Sequence, residues 1–124
     1  MIHLDTHVLV WLYFGKTKEF SQKAKELINK NDLHYSPIVK LELTYLEEVN
    51  RFSVSAKQIL KTLTKDLELK ESQASFSEVT TKSLKESWTR DPFDRLIVAQ
   101  AKSENVKLLS RDRLILKNYH KATW

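Results

Sequence analysis

Four acids stand where the surrounding residues mark them off from ordinary surface carboxylates. Asp5 directly follows the apolar segment Ile2-His3-Leu4, and Asp112 lies just past Leu109, after Ser110 and Arg111. Glu42 sits about a turn and a half into a helix that begins near Ser36, and Asp94 falls in the first turn of a helix begun by Pro92, with Asp91 ahead of it. Acids directly after strands are well placed for function, because ligands of open parallel sheets bind outside the carboxyl ends of the strands. If the four converge, charges about 5 Å apart repel by roughly 3 kcal/mol at an effective dielectric near 20, against a total stability of only ~5–15 kcal/mol. A cation or protons must then compensate. Oxygen-only ligands suit Mg²⁺ or Mn²⁺, which can activate water and stabilise charge developing on a phosphodiester.

Composition removes most competing chemistries. Gly15 is the only glycine, so the glycine-rich loops that cradle nucleotide phosphates are excluded. Cysteine is absent, which excludes disulfides, thiolate–zinc sites and a cysteine nucleophile. The histidines at 3, 7, 34 and 120 show no HExxH spacing, and hard oxygen sites do not need them. Lys and Arg number 21 against 16 Asp and Glu, a formal net charge of +5 that favours a polyanionic partner, nucleic acid first. The lysines at 57, 61 and 65 share one helical face and read most simply as a solvated stripe. No apolar run approaches the roughly 18 residues of a membrane span, and an acid stands at position 5 where a signal peptide would carry basic residues, so a cytoplasmic, membrane-free protein is expected.

The elements that must position the acids alternate strand with helix. Residues 2–4 read as a strand and 6–14 as a largely buried helix, followed by a helix capped by Ser21 and a strand at 33–35. Ser36-Pro37 signals a helix start, with Ser36 as the cap, and the helix carries Ile38, Leu41, Tyr45 and Val49 at helical spacing. Ser55 caps a further helix, residues 67–69 alternate like a strand, and a polar helix spans 77–87. Asp91-Pro92 starts an apolar helix through Ala101; 106–109 is a strand, 113–119 a short helix and 122–124 an edge strand. This is an α/β fold with a central, mostly parallel sheet flanked by helices, one domain over 1–124.

The motifs Leu4-Asp5-Thr6-His7-Val8-Leu9-Val10-Trp11, the segment 36–43 with Glu42, Arg90-Asp91-Pro92-Phe93-Asp94-Arg95-Leu96-Ile97-Val98-Ala99-Gln100-Ala101 and Leu109-Ser110-Arg111-Asp112 resemble, in order and over nearly the whole chain, those of PIN-domain proteins. The nearest likeness is to the VapC-type toxins of toxin–antitoxin systems. The resemblance implies a PIN fold and a Mg²⁺- or Mn²⁺-dependent ribonuclease site with Asp5, Glu42, Asp94 and Asp112 as its four acids. It also implies a homodimer and a cognate antitoxin. Two departures stand out: Asp91 adds an acid to the third motif, and Ser110 replaces the common threonine while keeping its hydroxyl.

Each residue also has a plainer reading. Asp91 before proline suits a helix cap, either alone or paired with Asp94, and Asp112 suits a turn. Whether Asp91 touches metal stays open. Thr6 and Ser110 either support the carboxylates or bond locally, and Arg90, Arg95, Arg111 and Arg113 either contact phosphate or neutralise acids. Trp11, Trp88 and Phe93 read as core or interface. The function expected is an RNA-cleaving endonuclease, the toxin of a toxin–antitoxin pair. The rivals are a non-catalytic PIN-like module that binds RNA or protein, and an aspartyl-phosphate phosphatase, disfavoured because Asp5-Thr6-His7 lacks Asp-x-Asp.

Overall fold

The computed structural model describes residues 1–124. Ile2–Leu4 (β1) leads into Thr6–Tyr13 (α1), a 3₁₀ turn at Thr17–Glu19 and Gln22–Lys30 (α2). Leu33–Tyr35 (β2) is followed by Ile38–Glu48 (α3) and Ala56–Leu67 (α4), and Lys70–Glu71 (β3) by Phe76–Ser83 (α5) and Pro92–Ser103 (α6). Lys107–Leu109 (β4), Arg113–Asn118 (α7) and Ala122–Thr123 (β5) complete the chain. The strands form one sheet in the order β3-β2-β1-β4-β5, and every neighbouring pair is parallel. From β1 the chain builds outward through β2 and β3, then returns to place β4 on the other side of β1. The strand order therefore reverses between β1 and β4, and the crevice at their carboxyl ends is where such sheets bind ligands.

Local chemistry accounts for the helix starts. Ser21 Oγ accepts from Ala24 N at 3.0 Å and Ser55 Oγ from Gln58 N at 3.1 Å, each satisfying an orphan donor as its sequence position predicts. Gly15, at φ +66, turns the chain out of α1 in a conformation that costs other residues energy. The core joins Ile2 and Leu4 of β1 with Leu108 and Leu109 of β4, covered by Val8, Leu9, Leu43, Ile59, Ile97 and Val98, all essentially inaccessible.

Four local expectations are corrected. Ser36 does not cap α3: Pro37 holds the cap position with no side-chain bond, and Ser36 Oγ instead donates to Gln100 Oε1 at 2.8 Å. The apolar spacing in α3 marks an outward stripe, because Leu41, Tyr45 and Val49 are exposed whereas Val39, Glu42, Leu43 and Leu46 are buried. The third strand starts at Lys70, since α4 runs to Leu67 and Glu68 ends it in the left-handed region at φ 55. The polar helix spans 76–83 rather than 77–87, started by Ser75 Oγ accepting from Glu78 N at 3.1 Å, and a turn-rich loop leads to α6.

Gln100 ties α6 to the strand ends. Its Oε1 accepts from Ser36 beyond β2, and its Nε2 donates to Ser72 Oγ beyond β3 at 2.8 Å. All three residues are buried. Gln100→Leu is expected to destabilise the fold by about 1–3 kcal/mol, because two buried hydroxyls lose their partner; urea unfolding measures it, and an unchanged midpoint would show that the bridge contributes nothing.

Candidate active site

Parallel register between β1 and β4 aligns Leu4 with Leu109, and Asp5 N extends the ladder by donating to Leu109 O at 3.0 Å. Asp5 thereby comes to stand beside Ser110. Its Oδ2 accepts from Ser110 Oγ at 2.7 Å and its Oδ1 from Thr6 N at 2.8 Å, so the carboxylate is fixed from both sides while also capping α1. Asp112 caps α7, with Oδ1 accepting from Leu114 N and Ile115 N at 2.9 and 3.0 Å. Asp91 caps α6 in the same way, with Oδ1 accepting from Phe93 N at 2.8 Å and Asp94 N at 3.3 Å. The plainer readings of Asp91 and Asp112 as capping and turn residues therefore describe real bonds. Each spends only Oδ1 on its helix.

The same residues share one cavity. Asp5, Glu42, Asp91, Asp94 and Asp112 all line a space of about 420 Å³ at the carboxyl ends of β1 and β4. Three helix N-termini, those of α1, α6 and α7, open at these acids, and their partial positive charge offsets some of the repulsion. Asp94 projects from the first turn of α6, and Glu42 from the buried side of α3. Glu42 Oε1 is buried without a hydrogen bond; Thr6 Oγ1 is near enough to pull its carboxyl down slightly, yet is itself unpartnered.

The electrostatics follow from this crowding. Burial lifts the Asp94 carboxyl to about 8, with the charges of Asp91, Asp5, Asp112 and Glu42 adding to it in that order. Burial also lifts Glu42 to about 7, helped by Asp5 and Asp91. Asp5 is raised mainly by burial, against the lowering effect of its bonds from Ser110 and Thr6. As the side chains stand, no three of the acids gather closely enough to grip one ion. The donor set nonetheless fits a hard divalent cation: five carboxylates, no thiolate, and a buried oxygen on Glu42 with nothing to bond.

Of the four arginines flanking the motifs, only Arg111 reaches the cavity wall. Arg90 Nη1 donates to Ser87 O at 3.0 Å and Arg95 Nε to Thr89 O at 2.8 Å, bonds that fold the loop ahead of α6, while Arg113 lies exposed on α7. Three other residues line the cavity, Val8 and the two side chains whose sequence reading gave them no site role, His7 and Trp11. The latter two lie four apart on α1, so helical spacing from the Asp5 cap is the signal that finds them.

A family model described as the PIN domain matches residues 2–121. Similar solved structures include a toxin–antitoxin complex from Klebsiella pneumoniae, with a TM-score of 0.66 and 16% identity over 100% of this chain and 97% of that one. VapBC2 from Rickettsia felis bound to a DNA fragment from their promoter gives a TM-score of 0.62 at 22% identity, covering 94% of this chain and 92% of that one. VapBC-1 from nontypeable Haemophilus influenzae gives 0.64 at 18%, covering 100% and 96%. Comparison with curated proteins gave no match. The chain belongs to the PIN-domain family. The likeness to the three solved structures is one of fold.

Proposed function

We propose that this PIN domain is a Mg²⁺- or Mn²⁺-dependent endoribonuclease and the toxin of a toxin–antitoxin pair. The observation that carries the reading is five carboxylates on one cavity at the switch point of the sheet, two of them pushed to about 7 and about 8. Asp5, Glu42 and Asp94 would hold the cation, joined by Asp112 and, through their free oxygens, by Asp91. A divalent ion bound there supplies Lewis acidity, offsetting the clustered charge and favouring attack of water on a phosphodiester.

The chain's own groups divide the remaining work. Ser110 and the Thr6 amide lock the Asp5 carboxylate in one orientation, leaving its outward lone pairs for the site. With Asp94 at about 8 and Glu42 at about 7, Asp94 is largely and Glu42 about half protonated at neutral pH, so a divalent ion would compete with protons for the same oxygens. Arg111 offers the one guanidinium on the wall to an incoming phosphate backbone, and the net charge of +5 attracts the polyanion at longer range. The direct test is incubation of purified protein with a mixed RNA pool. Internal cleavage with Mg²⁺ or Mn²⁺ that stops in chelator supports the reading. No cleavage under any divalent ion would favour a non-catalytic binding module, and phosphomonoester hydrolysis with a trapped phospho-Asp5 would favour the phosphatase.

The similar solved structures are toxin–antitoxin complexes, which supports a cognate antitoxin as partner. For a homodimer, one exposed apolar area is the outward stripe of α3, Leu41, Tyr45 and Val49, with Phe93 of α6 packed 6.0 Å from the Tyr45 ring. Tyr45→Glu is expected to yield monomer in sedimentation velocity where wild type sediments as a dimer; a dimer in the variant would place the interface elsewhere. No helix is long and apolar enough to cross a membrane.

A further inference from the structure

A guanidinium beside five carboxylates should fall onto them, yet Arg111 does not. Its Nη1 donates instead to Glu19 Oε2, at the end of the 3₁₀ turn between α1 and α2, and the guanidinium lies 5.9 Å over the Trp11 ring. Trp11 is braced in turn by Phe20, the residue after Glu19, at 6.2 Å edge-on, and by Trp124 at 5.5 Å. Glu19 and Arg111 are both substantially exposed, so the pair itself adds little to stability. Its consequence is positional.

We infer that Glu19 is a positioning residue that holds Arg111 at the rim, keeping the guanidinium out of the carboxylate cluster so that the cavity stays open to a divalent cation. Without Glu19, Arg111 is the nearest cation able to swing inward and neutralise the acids, and it then competes with the metal for them. Held outward by one of its nitrogens, the guanidinium keeps its other N–H donors free for a phosphate at the cavity mouth. The inference rests on the reading of the cavity as a metal site and adds a residue that no motif marks.

The test is calorimetric titration of Mn²⁺ into wild type, Glu19→Ala, Arg111→Ala and the double variant, which needs no nuclease activity. Glu19→Ala is expected to weaken Mn²⁺ binding by roughly fivefold, about the effect of one ion-pair coupling. In the Arg111→Ala background the same substitution is expected to change nothing. A loss that persists without Arg111 overturns the inference, because Glu19 would then act through its own field or through the fold. Unchanged binding in Glu19→Ala overturns it as well, while leaving the metal site intact. If wild type binds no Mn²⁺ in the cavity, the metal reading fails and the inference with it.

Discussion

Asp5→Asn is expected to reduce RNA cleavage by more than about a hundredfold, since loss of a partner that merely orients a metal ligand already costs about 10–100-fold. The substitution is close to isosteric, and its amide oxygen can still accept from the Thr6 amide or Ser110. Melting temperature and circular dichroism should therefore stay near wild type, isolating the chemical defect. Ser110→Ala supplies the comparison: it frees Asp5 Oδ2 without removing the carboxylate, and its loss of activity should be smaller. Cleavage assays under saturating Mn²⁺ rank the two. Wild-type activity in Asp5→Asn would remove this residue from the site, and equal losses in the two variants would make orientation, not charge, its contribution.

The second large effect is on stability, and its sign is opposite to that of an ordinary surface acid. The folded Asp94 carboxyl stands at about 8 against 3.8, and Glu42 at about 7 against 4.5. A carboxyl whose folded value is raised binds its proton more tightly in the native state. Its stabilisation is complete below about pH 4 and disappears as pH rises through about 7 and then 8. Both groups open onto the cavity, and water there screens part of the repulsion; discounting for this, Asp94 alone costs roughly 1–3 kcal/mol at pH 8. Without divalent ions the domain should melt at lower temperature at pH 8 than at pH 5, and Asp94→Asn should remove most of that difference while abolishing cleavage. Added Mn²⁺ should restore the wild type at pH 8 but not the variant. A metal-free wild type that is more stable at pH 8 than at pH 5 would contradict the crowding of the acids. Lower metal-free stability at pH 8 would make the site an example of function held at the expense of stability.

Much of this was legible in the chain because the informative signals are local. A short apolar run ending in Asp5, serine caps at 21 and 55, and Asp91-Pro92 ahead of an apolar helix each report on a few consecutive residues, and each appears in the fold where it was expected. The convergence of residues 5, 42, 94 and 112 rested on motif order, and parallel register between β1 and β4 supplies the physical reason that Asp5 meets Ser110. What escaped was set by tertiary contacts. Both sides of α3 carry apolar residues at helical spacing, and only packing selects the side bearing Val39, Leu43 and Leu46, which also carries Glu42 inward. Ser36 looked like a cap because nothing in the sequence announces Gln100, 64 positions on, as its partner. The Glu19–Arg111 pair bridges 92 positions and was invisible for the same reason.

Crystals soaked in Mn²⁺ and measured at its absorption edge test the central claim most directly. An anomalous peak is expected inside the cavity, bonded to carboxylate oxygens of Asp5 and Asp94, with Glu42 turned toward it. A cavity without a peak at saturating Mn²⁺, or a peak bound only elsewhere on the chain, would contradict it.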